Sequence, residues 1–99
     1  MIVIAGSVPI RAEHREEATR VALTMARATR AEAGCLTYRF SADLADPNTF
    51  LIFEEWESEE ALARHFESDH MRVFREQVPR LVAGPPQIGR YAVTGKTAM

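Results

Sequence analysis

Apolar and polar residues alternate over Ile2–Pro9, and the β-branched content of that run predicts a first strand, with Pro9 tolerable near its end or on a sheet edge. The period then lengthens. From Ala12 to Ala33, the residues Ala18, Val21, Ala22, Met25 and Ala28 recur at helical spacing, while Glu16, Glu17, Arg20, Arg27 and Arg30 lie mostly off that stripe. Acidic residues early and arginines late suit the helix macrodipole, and Gly34 stands where a C-terminal cap is expected. A second strand over Cys35–Ala42, turn chemistry at Asp46-Pro47-Asn48 and a third strand over Thr49–Glu57 together predict a hairpin. Ser58 then caps a helix carrying Ala61, Leu62, His65 and Phe66 on one face. Ser68 or Asp69 caps a further helical segment from His70 to about Gln77, ended by Pro79, with Met71, Phe74 and Val78 as its stripe. Gly84-Pro85-Pro86 links to a fourth strand over Ile88–Thr94. The order β-α-β-β-α-β predicts an α+β, ferredoxin-like fold: a four-stranded antiparallel sheet with its helices on one face.

The third strand breaks the expected alternation. Phe50 and Ile52 point one way, and Leu51 and Phe53 point the other. Helices on one face leave the second pair to water, and burying each such side chain is worth roughly 1.5–3 kcal/mol. A homodimer packed sheet against sheet is the expectation; the alternative is that a loop or the C-terminal tail shields the face. With that face locked, a small molecule is expected between helices and sheet within each protomer.

Ninety-nine residues support one domain over 1–99, with a core over about 2–95 and a flexible tail at 96–99. Twelve Lys and Arg against fourteen Asp and Glu give a formal charge of −2, which argues against nucleic acid as a partner. No apolar run is long enough to span a bilayer, and the first residues do not resemble a secretory leader. A lone Cys35 makes neither an internal disulfide nor a thiolate metal cage. A cytoplasmic location is expected.

Among groups able to do chemistry, His65 shares the inward helical face with Leu62 and so offers an imidazole for proton transfer near neutral pH; a core histidine satisfied by one carbonyl would show the same spacing. His70 follows across a helix break, a spacing that makes no standard metal pair, and is expected at a rim; no metal site is expected. Glu54 and Trp56 share a face of the third strand with Phe50 and Ile52. A carboxylate there must be paired. It can orient His65, act as a base itself, or bridge to Arg39 or Arg90. Trp56 supplies a flat apolar wall, and Tyr38 and Tyr91 offer hydroxyls to a phenolic ligand or to solvent.

The strings Glu32-Ala33-Gly34-Cys35-Leu36-Thr37-Tyr38, Glu54-Glu55-Trp56 through His65, and Ser68-Asp69-His70-Met71 resemble the antibiotic biosynthesis monooxygenase family of the dimeric α/β-barrel superfamily, over nearly the whole chain. The resemblance implies a ferredoxin-like protomer dimerising through its sheet. It also implies a monooxygenase that needs no flavin or metal cofactor and oxidises a quinol or polycyclic phenol with O₂, the substrate supplying the electrons. Position by position, it implies His65 as base, Glu54 as its partner or an alternative base, and Trp56, Tyr38 and Phe74 as aromatic walls, with Phe66 and His70 beside the substrate. Ile52 stands where polyketide-oxidising members carry a polar residue. His65 stands where haem-degrading relatives carry a tryptophan, and Phe74-Arg75 where they carry a haem-ligating histidine, so haem degradation is not expected. A non-oxidative enzyme such as an isomerase, or a binding module on the same scaffold, is the alternative.

Overall fold

A computed structural model describes all 99 residues, Met1–Met99. The strands β1 (Ile2–Pro9), β2 (Cys35–Ala42), β3 (Thr49–Trp56) and β4 (Gln87–Ala92) form one antiparallel sheet in the order β2-β3-β1-β4. The helices α1 (Arg15–Arg30), α2 (Glu59–Phe66) and α3 (Asp69–Leu81) pack together on one side of it. This is the ferredoxin-like α+β arrangement.

The helix anticipated from Ala12 divides in two. Ala12–His14 is a 3₁₀ turn without a side-chain cap, and α1 follows, burying Ala18, Ala22, Met25, Ala26 and Thr29. The shorter helices begin as their serines dictate: Ser58 Oγ accepts from the Ala61 amide at 3.1 Å, and Ser68 Oγ from the Met71 amide at 3.2 Å. Pro79 does not end α3, which continues to Leu81. Proline lacks the amide that continues the ladder, but this last turn is held from outside. The Arg11 amide donates to the Leu81 carbonyl and the Arg11 Nε to the Val82 carbonyl, both at 2.9 Å, while the Leu81 side chain is buried. The fourth strand is also shorter than anticipated and ends at Ala92.

Ile2, Ile4, Phe50, Ile52, Trp56 and Tyr38 line the helix-facing side of the sheet and are buried. A register shift between Cys35 and Thr37 rearranges the start of β2. The alternation places Leu36 with Tyr38 and Phe40, but the irregularity sets Cys35 opposite Trp56 and leaves Leu36 more than half exposed. The other side of the sheet carries no helix. There Phe53 remains 41% and Tyr91 55% exposed. Glu55 is buried on that same side, its Oε1 accepting from the Thr37 hydroxyl and its Oε2 lying 3.5 Å from Lys96 Nζ. No helix is long and apolar enough to cross a membrane.

The turn between α1 and β2 depends on Gly34, whose φ of +85° lies in the region that side chains disfavour. A Cβ there would stand 2.5 Å from the Ala61 Cβ of α2. Backbone conformation and close approach therefore act together. Gly34→Ala is expected to lower stability by about 1–3 kcal/mol, read as a drop in thermal midpoint; a midpoint equal to the parent's would contradict this account of the turn.

Candidate functional site

Three elements that no strand ladder connects converge on one carboxylate. Glu32 lies in the turn that follows α1, His65 in the last turn of α2, and His70 in the first turn of α3. Glu32 Oε2 is 2.7 Å from His65 Nδ1 and 2.7 Å from His70 Nε2. The bend between α2 and α3 brings the histidines together, and Ser68 fixes that bend: its Oγ, besides capping α3, donates to the His65 carbonyl at 2.7 Å. A carboxylate oxygen accepts from both rings, which sets His65 as the Nδ1–H tautomer and leaves Nε2 with a lone pair.

The environment of His65 is aromatic and dry. Its side chain is 1% exposed, with the Trp56 ring centroid 4.7 Å away, Tyr38 at 5.5 Å, Phe66 at 5.8 Å and His70 at 6.0 Å. Burial holds its pKa below the usual imidazole range, against the opposing pull of Glu32. His70 is more open, at 27%. Glu32, His65 and His70 are also the residues able to offer ligands to a metal ion, their donor atoms lying within 4.8 Å of one another. The 2.7 Å separations are hydrogen-bond distances, tighter than the roughly 3 Å that two ligands about 2.1 Å from a common ion keep.

Glu54 does not orient His65. Its Oε1 accepts from Trp56 Nε1–H at 2.8 Å within the buried face of β3. Arg39 and Arg90 do not pair with it either: Arg39 lies opposite Phe53 on the uncovered side of the sheet, and Arg90 pairs with Glu59. Burial raises the Glu54 pKa to about 7, the Glu32 charge adding to the rise and the Trp56 hydrogen bond opposing it. Burial likewise pushes the Tyr38 phenol far above its ordinary value and the Cys35 thiol to about 11, so neither supplies an anion near neutral pH. Glu32 is the site residue that sequence reasoning missed. Its signals were its place two residues before the glycine that turns the chain back toward α2 and at the head of the Glu32–Tyr38 string that carries the family resemblance.

A wholly apolar cleft of about 120 Å³ lies between helices and sheet, lined by residues that include Phe40, Phe50, Ile52, Phe74, Leu81 and Ile88. That is where a small molecule is expected, between helices and sheet, but His65 does not line it. An aromatic row intervenes, Phe74 to Phe40 at 6.1 Å, Phe40 to Tyr38 at 5.7 Å, and Tyr38 to His65. Phe74 thus lines the cleft, His65, Trp56, Tyr38 and Glu54 form the packed end beyond it, and Phe66 flanks His65 from the helix side.

Comparison with known proteins gives a consistent picture. The family model for antibiotic biosynthesis monooxygenase matches residues 1–77. An uncharacterized protein of Synechocystis sp., sll1783, is 35% identical over 93% of this chain, which spans 63% of that relative's length. The candidate monooxygenase YcnE of Bacillus subtilis is 30% identical over 91% of this chain and 95% of its own. A crystal structure of a candidate antibiotic biosynthesis monooxygenase from Deinococcus radiodurans superposes with a TM-score of 0.91 at 29% identity, covering 100% of this chain and 98% of that one. Rv0793 from Mycobacterium tuberculosis superposes with a TM-score of 0.90 at 25% identity, over 98% of both chains.

The Glu54 carboxyl sets a pH dependence whose sign follows from its proton. The folded form keeps that proton up to about pH 7, whereas the unfolded group releases it near 4.5. This contribution to stability is therefore present below the unfolded value and lost as pH rises through about 7. Glu54→Gln, which keeps an acceptor for Trp56, should match the parent near pH 4 and exceed its stability near pH 8 by on the order of 1–3 kcal/mol. Urea denaturation at the two pH values measures this, and an equal difference at both would refute it.

Proposed function

The chain belongs to the antibiotic biosynthesis monooxygenase family, and we propose that its reaction within that family is the cofactor-independent oxidation of a quinol or polycyclic phenol by O₂. The observation that carries this reading is the pair of imidazoles bridged by one carboxylate, set in an aromatic, water-poor environment. Such a reaction asks little of a protein: a dry site, an orienting wall and a group that takes and returns a proton.

The proton acceptor in this proposal is the bridged pair of imidazoles, with Glu32 set to offset the positive charge that either ring takes up. Removal of a phenolic proton makes the ring electron-rich enough to pass one electron to O₂. The resulting superoxide and substrate radical combine into a carbon–oxygen bond, and the proton held by imidazole returns to the terminal oxygen. Loss of water from that hydroperoxide, together with the hydrogen on the same carbon, leaves a carbonyl. One oxygen atom ends in the product and one in water; a quinol becomes a hydroxylated quinone. The substrate is the sole electron donor. Glu32 fixes the His65 tautomer throughout, and the neighbouring rings keep the charged intermediates away from bulk water.

We further propose that the protein forms a homodimer through the helix-free face of its sheet. Phe53 and Tyr91 are each more than two fifths exposed there, and the tail that reaches Glu55 through Lys96 leaves them open. The unpaired Cys35 suits a reducing cytoplasm.

Oxygen uptake with reduced naphthoquinols tests the activity: the parent should consume O₂ with quinol, and His65→Ala should lose about 100-fold or more of the rate. Unchanged uptake in that variant removes His65 from the mechanism, and no uptake with any quinol favours the non-oxidative readings. Sedimentation tests the assembly. The parent should run at twice its 11.1 kDa chain mass, and Phe53→Arg should run as a single chain.

A further inference from the structure

Besides the apolar cleft, a second void of about 190 Å³ lies on the outer side, in the groove between α1 and α3, bordered by Val21, Thr24, Met25, His70, Phe74 and neighbouring residues. Two residues line both spaces, Val21 and Phe74. The cleft alone has no polar side chain to read a ligand, and the groove alone is a shallow surface feature ending at His70. Each is below the roughly 300 Å³ at which small-molecule sites begin; joined, they reach it.

We propose that Phe74 is a movable partition between these two spaces, and that a planar aromatic ligand bearing one acidic hydroxyl occupies the chamber formed when its ring swings aside, with the hydroxyl meeting His70. This deepens the proposed function by naming the ring that touches the ligand and the residue that limits ligand size.

Of the two shared residues, Phe74 is the one built to move. Val21 is β-branched on a long helix, so its side chain has little freedom at χ1. Phe74 turns about two torsions and is only half-buried, with Phe40 behind it on the sheet side at 6.1 Å and a 44° tilt. The chemistry at the two ends is complementary. The inner wall offers Phe40, Phe50 and Ile52 to a flat apolar ring. At the outer end, His70 uses Nε2 on Glu32 and presents the rest of its ring to the groove. A hydroxyl there is coupled to His65 through a single carboxylate oxygen, so His65 acts on the ligand by way of Glu32 and His70, consistent with its near-complete burial and its absence from the lining of either void.

Equilibrium binding of 2-naphthol, in the absence of any turnover, tests this on the full chain. Calorimetry should show Phe74→Leu binding about tenfold more tightly than the parent, because the closed state no longer competes, and Phe74→Trp binding more weakly. The chain has three histidines, so imidazole proton resonances are readily assigned by substitution; saturating 2-naphthol should shift that of His70 and leave that of His14 in place. Equal affinities across parent, Phe74→Leu and Phe74→Trp would overturn the partition, and an unmoved His70 resonance would overturn the contact. Because no oxygen is consumed, the outcome is separable from that of the uptake experiment: binding without turnover leaves this chamber standing while the oxidative reading falls.

Discussion

One oxygen atom organises the chemistry of this protein. Glu32 Oε2 joins the α1–β2 turn, the end of α2 and the start of α3 in a region where no backbone ladder crosses. The sheet holds itself by its own hydrogen bonds, and the long α1 by its buried stripe, but α2 and α3 are short. Helices of such length have little stability of their own. Their serine caps set where they start, Trp56, Leu62 and Ala61 bury what they cover, and Glu32 sets how they lie against the rest. Gly34 belongs to the same constraint, because a side chain there would displace α2 from the turn that carries Glu32.

Architecture was legible from the sequence because it follows from periodicity. The switch from alternation over Ile2–Pro9 to helical spacing beyond Ala12, the Pro-Asn turn and Ser58 each act over a few residues and point to one answer. Failures came where a distant partner decides. Pro79 reads as a stop, yet Arg11, from the other end of the chain, satisfies the carbonyls that follow it. Leu36 follows the alternation until a register shift moves it out.

The site was legible in residue type and obscure in pairing. His65 was placed inward by its spacing from Leu62, and Trp56 and Tyr38 by strand alternation. Pairing Glu54 with His65 was reasonable because a carboxylate on an apolar strand face needs a partner, but an indole two residues away on the same face supplies it. The true partner of His65 comes from a turn thirty-three residues upstream, and no local pattern marks a turn residue whose side chain reaches across to two other elements. His70 shows the same limit: a five-residue separation looks useless on a single helix, and becomes a meeting point only because Ser68 bends the chain between two helices.

The two carboxylates of the region are driven to opposite duties by their surroundings. Glu32 faces two imidazoles and accepts from both, the position of an acceptor that stabilises positive charge on either ring. Glu54 faces an indole and apolar side chains, with its proton retained to about pH 7. On the proposed reading, the bridged histidines take the phenolic proton, and a neutral Glu54 keeps a second negative charge out of the interior in which a substrate anion must form. Were Glu54 ionised in the same interior, its charge would oppose the deprotonation that the histidine pair promotes, so the burial that raises its pKa favours the same step.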